Sequence, residues 1–205
     1  MASKRVSFFI DGFNLYHALI ADAKYLPFRW MNLKRLVELF IRPSDSLADV
    51  FYFTAYATWD QGKVNRHKLY IRVQENFGVT PILGEFRRTT KRCRKCNQVF
   101  QTFEEKETDV NIAIQLFEQA FKDTYDTAIV LSGDSDQLPA LRAVRKNFPS
   151  KEFGVLIPPG RAAELLKREA DFHRKIKYKH LQTAKLSENI TLNDGRIVSC
   201  PENWK

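Results

Sequence analysis

Short apolar runs alternate with amphipathic helical segments along the first three quarters of the chain. The runs typical of strands are Arg5–Ile10, Asp49–Ala57, Val79–Leu83, Thr127–Leu131 and Phe153–Ile157. The segments with helical spacing are Phe13–Ala21, Asn32–Phe40, Lys63–Phe77, Thr108–Phe121, Gln137–Asn147 and Arg161–Arg168. Pro81 cannot donate to a ladder, so its strand is expected at an edge. The rhythm predicts an α/β fold with a central, mostly parallel sheet and helices on both faces.

Two segments depart from this rhythm. Phe86–Glu105 is basic and has no strong period, which predicts a hairpin insertion within a domain of residues 1–174. Residues 175–205 have a mixed pattern. They form a C-terminal extension of unknown role, either packed on the sheet edge or partly mobile.

Composition narrows the classes of protein that the chain can belong to. It has 205 residues, 44% hydrophobic residues and a formal net charge of +9. That charge favours a polyanionic partner, with nucleic acid ahead of an anionic membrane surface. The N-terminus lacks the pattern of a signal peptide, and no run of eighteen apolar residues predicts a membrane span. Three cysteines do not suit a disulfide framework, so a cytoplasmic protein is expected.

Acidic and amide side chains occur where strands end or helices begin. Asp11 and Asn14 follow the first strand, Asp109 begins a helix, and Asp134 and Asp136 follow the strand Thr127–Leu131. The carboxyl ends of parallel strands meet at one edge, so these side chains are expected to converge. Four carboxylates in one crevice repel each other without a cation, and oxygen ligands suit Mg²⁺ or Mn²⁺. The pattern therefore predicts a catalytic metal centre.

Helix capping is the plainer interpretation of the same residues. Asp109 and Asp136 would each serve as an N-cap, and Asp11-Gly12 could form a simple turn. Capping explains any one of these residues as well as ligation does. It explains less well why all of them fall at the same rim.

The segments FFIDGFNLY, EEKETDVNIAIQL and IVLSGDSDQLPAL resemble the motifs of the NYN family of PIN-like ribonucleases, with the LabA-like branch nearest. The resemblance runs from about Arg5 to about Ile157. It implies a Rossmann-like PIN-type three-layer fold and Mg²⁺- or Mn²⁺-dependent cleavage of RNA that leaves 5′-phosphate and 3′-hydroxyl ends. The site residues that it implies are Asp11, Asp109, Asp134 and Asp136 as the acidic centre, Asn14, and Ser132 as a substrate contact. Relatives often have Gly-Val-Asp where this chain has Thr108-Asp109.

The insertion concentrates cations beside aromatic residues. Its basic residues are Arg87, Arg88, Lys91, Arg92, Arg94 and Lys95, and they are flanked by Phe86, Phe100 and Phe103. Basic and aromatic groups together suit single-stranded RNA, through phosphate contacts and base stacking. The insertion is therefore predicted to be an RNA-gripping arm, although a charge run is more often a solvated face.

Cys93-x-x-Cys96 in the insertion supplies half of a structural zinc site, because four ligands are needed. Cys200 is the only other cysteine, so a complete site needs Cys200 with a histidine, or a second subunit in a homodimer. The alternative is a reduced, exposed thiol pair.

These features favour a metal-dependent endoribonuclease that hydrolyses single-stranded RNA. A binding module without turnover and a nuclease acting on DNA remain open. A phosphatase of the haloacid-dehalogenase type would need an aspartate where Phe13 stands.

Overall fold

The computed structural model describes residues 3–205, which contain ten strands and seven α-helices. The strands are β1 (Arg5–Asp11), β2 (Ser46–Thr54), β3 (Thr80–Leu83), β4 (Glu85–Arg92), β5 (Val99–Lys106), β6 (Thr127–Leu131), β7 (Glu152–Ile157), β8 (Phe172–Lys175), β9 (Asn189–Thr191) and β10 (Ile197–Ser199). The helices are α1 (Gly12–Ile20), α2 (Leu33–Glu38), α3 (Gln61–Asn76), α4 (Thr108–Phe121), α5 (Leu138–Asn147), α6 (Glu164–Glu169) and α7 (Tyr178–Ala184). Short 3₁₀ segments cover Ala23–Arg29, Ser135–Gln137 and Glu202–Trp204.

Six parallel strands form the central sheet in the order β3-β2-β1-β6-β7-β8. A buried apolar cluster covers each face, and the central strand β1 contributes Phe8 to one cluster and Phe9 to the other. The predicted α/β fold is confirmed, as is the edge position of the strand that contains Pro81. None of the helices in residues 3–205 combines the length and the apolar character needed to cross a bilayer.

The sheet extends one strand further than the sequence predicts. Phe153–Ile157 is not the last strand, because β8 pairs with β7 and Gly154 lies opposite Phe172. A Cβ at Gly154 would lie only 2.4 Å from the Phe172 ring, so the missing side chain makes room for that ring. The four-residue strand Phe-His-Arg-Lys is too short and polar to stand out as a strand.

The C-terminal extension, residues 175–205, packs into the main core. Trp30 Nε1 donates to the Ser187 carbonyl at 2.9 Å, and the Asn32 amide donates to the Ala184 carbonyl at 2.8 Å. Leu181 is fully buried in the same cluster as Phe8. The extension therefore helps to cover one face of the sheet.

The insertion is an antiparallel hairpin, β4–β5, held against the body by aromatic contacts. Phe103 stacks on Trp59 with ring centroids 4.0 Å apart, and Phe86 meets Trp59 edge-on at 4.8 Å. Phe86 also contacts Phe13 at the start of α1, at 5.4 Å. These contacts place the hairpin base at the carboxyl edge of the sheet.

Candidate acidic centre

Asp11 lies at the end of the central strand β1 and caps α1. Its Oδ1 accepts a hydrogen bond from the Asn14 amide at 2.9 Å, and its Oδ2 accepts one from Ser132 Oγ at 2.9 Å. The residue is 5% exposed, and burial raises the pKa of its carboxyl above the ordinary value. The two hydrogen bonds oppose that shift because they stabilise the charged form.

The loop after β6 is fastened to the start of α1. Asn14 Oδ1 accepts from the Gly133 amide at 2.9 Å, and Ser132 Oγ accepts from the Asp134 amide at 3.0 Å. A Cβ at Gly133 would lie 2.9 Å from the Arg161 Cβ, so a glycine fits where a larger residue would collide. The loop thereby carries Asp134 to the same edge of the sheet as Asp11.

Asp109 stands in the first turn of α4 and faces this loop. Gln137 Nε2 donates to its Oδ1 at 2.7 Å. Burial and then repulsion from the carboxylates of Asp11, Asp134, Glu105 and Asp136 raise the pKa of Asp109 to about 6. The structure thus brings the four predicted acids into one electrostatic neighbourhood.

The residues that cap the helices in the structure are not the ones that the capping interpretation of the sequence predicts. Asp11 and Asp134 are the caps, since Asp134 Oδ1 accepts from the Asp136 amide at 3.2 Å. Asp109 caps nothing, because Glu105 Oε1 takes the first free amide of α4, that of Thr108, at 2.9 Å. The expectation that Asp109 and Asp136 are N-caps is therefore wrong.

The donor set has the chemistry of a hard-cation site. Carboxylate oxygens dominate it, and two buried oxygens beside Asp109, Thr108 Oγ1 and Gln137 Oε1, have no hydrogen-bond partner. Within residues 3–205, however, no three His, Cys, Asp or Glu side chains converge tightly enough to hold an ion as they stand. Like charges gathered here repel one another, and a bound cation would favour a tighter arrangement.

Two residues that the sequence predicts as part of the site, Ser132 and Asn14, hold the acidic centre together through hydrogen bonds. Ser132 is fully buried, and its hydroxyl donates to Asp11 and accepts from the Asp134 amide, while its predicted contact with substrate stays a prediction. The side-chain oxygen of Asn14 is occupied by the Gly133 amide, which makes Asn14 a positioning residue for the loop.

The cations of the hairpin divide between its two faces. Strand alternation puts Arg87 and Lys91 on one face, where they pair with Glu85, Glu107 and Glu104. Arg88 and Arg92 lie on the opposite face, opposite Phe103 and Val99 in the ladder. Among the described residues, these two arginines make no ion pair. Because Phe103 contacts Trp59, their face is the one turned toward the body of the protein.

Arg94 and Lys95 lie in the turn at the tip of the hairpin, exposed and also without an ion pair in residues 3–205. They are the cations farthest along the hairpin from its aromatic base. Nothing in their surroundings assigns them to either face.

Cys93 and Cys96 form the tight turn between β4 and β5. The Asn97 amide donates to the Cys93 carbonyl at 2.9 Å, and Asn97 adopts a left-handed conformation with φ of 56°. Hydrogen bonds from the backbone amides of Cys96 and Lys95 lower the pKa of the Cys93 thiol. Among the described residues no third ligand joins the pair. Cys200 is 7% exposed in the main core, so it does not complete an intramolecular zinc site.

Sequence reasoning missed two polar neighbours of the centre. Glu105 is a fifth carboxylate near Asp11 and Asp109, and it precedes Asp109 in the same EEKETD motif. Gln137 orients Asp109. The alternation of side chains along β5 puts Glu105 on the same face as Phe103, and this pattern is the signal that could have identified Glu105.

A cavity of about 690 Å³ lies beside the acidic centre and was also missed. It is bounded by α1, the end of β2, the first half of α3, the hairpin base and the C-terminal residues Asn203 and Trp204. Gly12, which follows Asp11, and Glu105 both line it. Its walls come from segments far apart in sequence, so no local motif predicts it.

Fold and site together define a parallel α/β domain with an acidic centre at the carboxyl edge of its sheet. This chain belongs to the NYN domain family, a PIN-like nuclease family, because the sequence model of the NYN domain matches residues 5–177. The narrower relationship to the LabA-like branch stays a prediction.

The chain is similar to a curated protein and to a solved structure. It is 24% identical over 189 residues to 6-hydroxy-3-succinoylpyridine 3-monooxygenase HspA from Pseudomonas putida (strain DSM 28022 / S16), covering 75% of this chain and 59% of that protein. The chain thus spans less than two thirds of the relative's length. A crystal structure of a protein of unknown function from Vibrio parahaemolyticus RIMD 2210633 matches with a TM-score of 0.61 at 16% identity, covering 86% of this chain and 94% of that one. That likeness concerns the fold.

Proposed function

We propose that this protein is a metal-dependent endoribonuclease acting on single-stranded RNA. The observation that carries the proposal is the gathering of Asp11, Asp109, Asp134 and Asp136 at one edge of the sheet, in a chain of the NYN family. A pure binding module gains nothing from like charges gathered in one crevice. An enzyme that hydrolyses phosphodiesters can use such a cluster to hold the cation that it needs.

Those four aspartates would hold Mg²⁺ or Mn²⁺. When bound, the cation would activate water and neutralise charge on the attacked phosphate. Ser132 and Asn14 keep Asp11 and the Asp134 loop in place, and Gln137 orients Asp109. In the proposed reaction the oxygen of water would attack phosphorus, the bond to the 3′ oxygen would break, and a proton of the water would pass to that oxygen, which yields a 5′-phosphate and a 3′-hydroxyl.

The rest of the protein supports binding of the RNA strand. Arg88 and Arg92 stand on the body-facing side of the hairpin, where their guanidinium groups are available to phosphates. The formal net charge of +9 draws a polyanion toward an otherwise acidic crevice. The unpaired cations therefore offset the repulsion between the acidic centre and its substrate.

A cleavage assay with end-labelled RNA tests the proposal. Wild type with Mn²⁺ should cut single-stranded RNA, EDTA should stop the cutting, and Asp134→Asn should abolish it while the protein stays folded. Single-stranded DNA and duplex RNA serve as parallel substrates. RNA binding without cleavage would favour the binding-module alternative, and preferential cutting of DNA would redirect the proposal to a deoxyribonuclease.

A second candidate is an activity on a small heteroaromatic acid, the kind of compound in the name of the relative HspA. The observation that favours it is the 690 Å³ cavity with its aromatic walls and three basic residues. Such an activity would depend on the cavity and would be retained when Arg88 and Arg92 are replaced. The ribonuclease activity would depend on the acidic centre and on Arg88 and Arg92.

A further inference from the structure

The cavity beside the acidic centre has no part in the RNA hydrolysis proposed above. Its volume of about 690 Å³ falls within the roughly 300–1,000 Å³ common for small-ligand sites. Gly12, which follows Asp11 in the chain, and Glu105, whose charge acts on Asp109, line it, so the cavity lies close to the acidic centre. A group held there would lie near the bond that the centre is proposed to cut.

Two groups of aromatic rings line the cavity. In one, Trp59, still 42% exposed although it stacks on Phe103, joins Phe86 of the hairpin. In the other, Trp204 meets Tyr70 edge-on at 5.7 Å. Walls of this kind favour a flat, π-bearing ligand over an aliphatic one.

The inner part of the cavity offers uncharged hydrogen-bonding groups. Thr54 Oγ1 and His67 Nε2 lie 3.2 Å apart, and both residues line the cavity. Burial lowers the pKa of His67 to about 4, so its ring is neutral at pH 7 and has both a donor and an acceptor nitrogen. A heterocycle with ring nitrogens and exocyclic groups matches this combination better than a plain hydrocarbon ring.

Three basic residues stand around the cavity, and they differ in how they are engaged. Arg29 Nη2 donates to the Asn203 carbonyl at 2.7 Å, and Lys63 is 3.6 Å from the Asp60 carboxylate. Arg66 makes no ion pair or side-chain hydrogen bond with any residue of the described chain. It is half-buried in the wall, which makes it the group best placed to receive an anion.

We propose that this cavity binds one nucleotide of the RNA strand next to the cleaved bond, with the base stacked on the aromatic rings that line it and its phosphate at Arg66. The inference rests on the proposed function, because it takes the ligand from the substrate strand. The chemistry recognised is a heteroaromatic ring that carries an anion, and a free heteroaromatic acid shares it. Stacking tolerates every base, so the pocket would position the strand more than read its sequence.

Calorimetric titrations of the full protein in EDTA distinguish the two ligands, a nucleotide of the RNA strand and a free heteroaromatic acid. The probes are adenosine 5′-monophosphate, ribose 5-phosphate and pyridine-3-carboxylate, and a fluorescent single-stranded oligoribonucleotide is used for competition. We expect the nucleotide to bind, to displace the oligonucleotide, and to bind about tenfold or more tightly than ribose 5-phosphate, which lacks the base. Arg66→Ala and Trp59→Ala should each weaken nucleotide binding about tenfold. Lys68→Ala, on the same helix but outside the cavity, should not.

Other outcomes separate failure of this inference from failure of the proposed function. Nucleotide binding that does not compete with the oligonucleotide, or equal binding of ribose 5-phosphate, would overturn the inference even if RNA is cleaved. Binding of pyridine-3-carboxylate alone would overturn it in favour of a small-molecule site. Competitive nucleotide binding sensitive to Arg66→Ala, in a protein that cleaves no RNA, would support the pocket while removing the ribonuclease proposal.

Discussion

The Ser132 hydroxyl donates a 2.9 Å hydrogen bond to Oδ2 of Asp11, and the same hydroxyl oxygen accepts one from the Asp134 amide at 3.0 Å. One fully buried side chain therefore connects two acids that follow different strands of the sheet. Asp11 is desolvated, so its charged form depends on this donor and on the Asn14 amide.

Ser132→Ala should disturb the acidic centre without removing a carboxylate. Leaving Asp11 and the Asp134 amide short of a buried partner should cost about 1–3 kcal/mol of unfolding free energy, measured by denaturant titration. Cleavage should fall with it, because the Asp134 loop loses a fastening point. Ser135→Ala, three residues along the same loop, should change neither quantity, since Ser135 makes no side-chain hydrogen bond within residues 3–205. Wild-type stability in Ser132→Ala would contradict the role given to this hydroxyl.

The two faces of the hairpin should contribute unequally to RNA binding. Replacing Arg88 and Arg92 with Ala should weaken binding and reduce the slope of log K against log salt by about 0.7 for each phosphate that is no longer bound. Replacing Arg87 and Lys91 removes the same number of charges, but those residues already pair with glutamates. The second variant should therefore keep most of the slope. Equal slopes for the two variants would place the RNA path away from the body-facing side.

Zinc at Cys93 and Cys96 should be shared between two chains if it binds at all, because Cys200 is buried in the core and no third ligand within residues 3–205 joins the pair. Protein purified under reducing conditions should then contain about half a zinc ion per chain and sediment as a dimer. Cys93→Ser should lose both properties, whereas Cys200→Ala should keep them. A full zinc equivalent in a monomer would contradict the shared site, and zinc-free protein would leave an ordinary thiol pair.

His67 should make the folded protein sensitive to mild acid. Its pKa is about 4 in the fold and about 6.5 in an unfolded chain, so only the unfolded state takes up the proton between these values. The stability that depends on its neutral ring is therefore fully present above about pH 6.5, falls progressively as the pH drops toward 4, and levels off below that. The stability difference between His67→Gln and wild type should shift in favour of the variant over this range. A difference independent of pH would show that the ring charges in the folded state.

The fold could be predicted largely from the sequence because each strand of the sheet centre is a distinct apolar run. Phe8, Phe9 and Ile10 are fully buried between two layers of helices, and such burial leaves a continuous apolar signature. The acids at the strand ends could be located for the same reason. Parallel topology carries every strand end to one edge.

Features built from distant segments could not be predicted. The cavity joins Trp59, Arg66 and Trp204, which no local pattern connects. The role of Ser132 also escaped prediction, because a serine before Gly-Asp looks the same whether its hydroxyl faces substrate or a buried carboxylate. The division of hairpin charges followed from register, which fixes faces only once Arg88 is known to lie opposite Phe103.

The dependence of RNA cleavage on Mn²⁺ concentration tests the central claim most directly. The initial rate should be near zero in EDTA and rise to saturation in wild type as Mn²⁺ increases. Asp109→Asn should abolish cleavage or demand far more Mn²⁺, because it removes one of the acids of the centre, whose pKa is raised to about 6 by burial and by its acidic neighbours. Glu118→Gln, on the same helix but in an exposed pair with Lys122, should match wild type. Cleavage that persists in EDTA, or that is unchanged in Asp109→Asn, would contradict a metal-dependent centre built on these carboxylates.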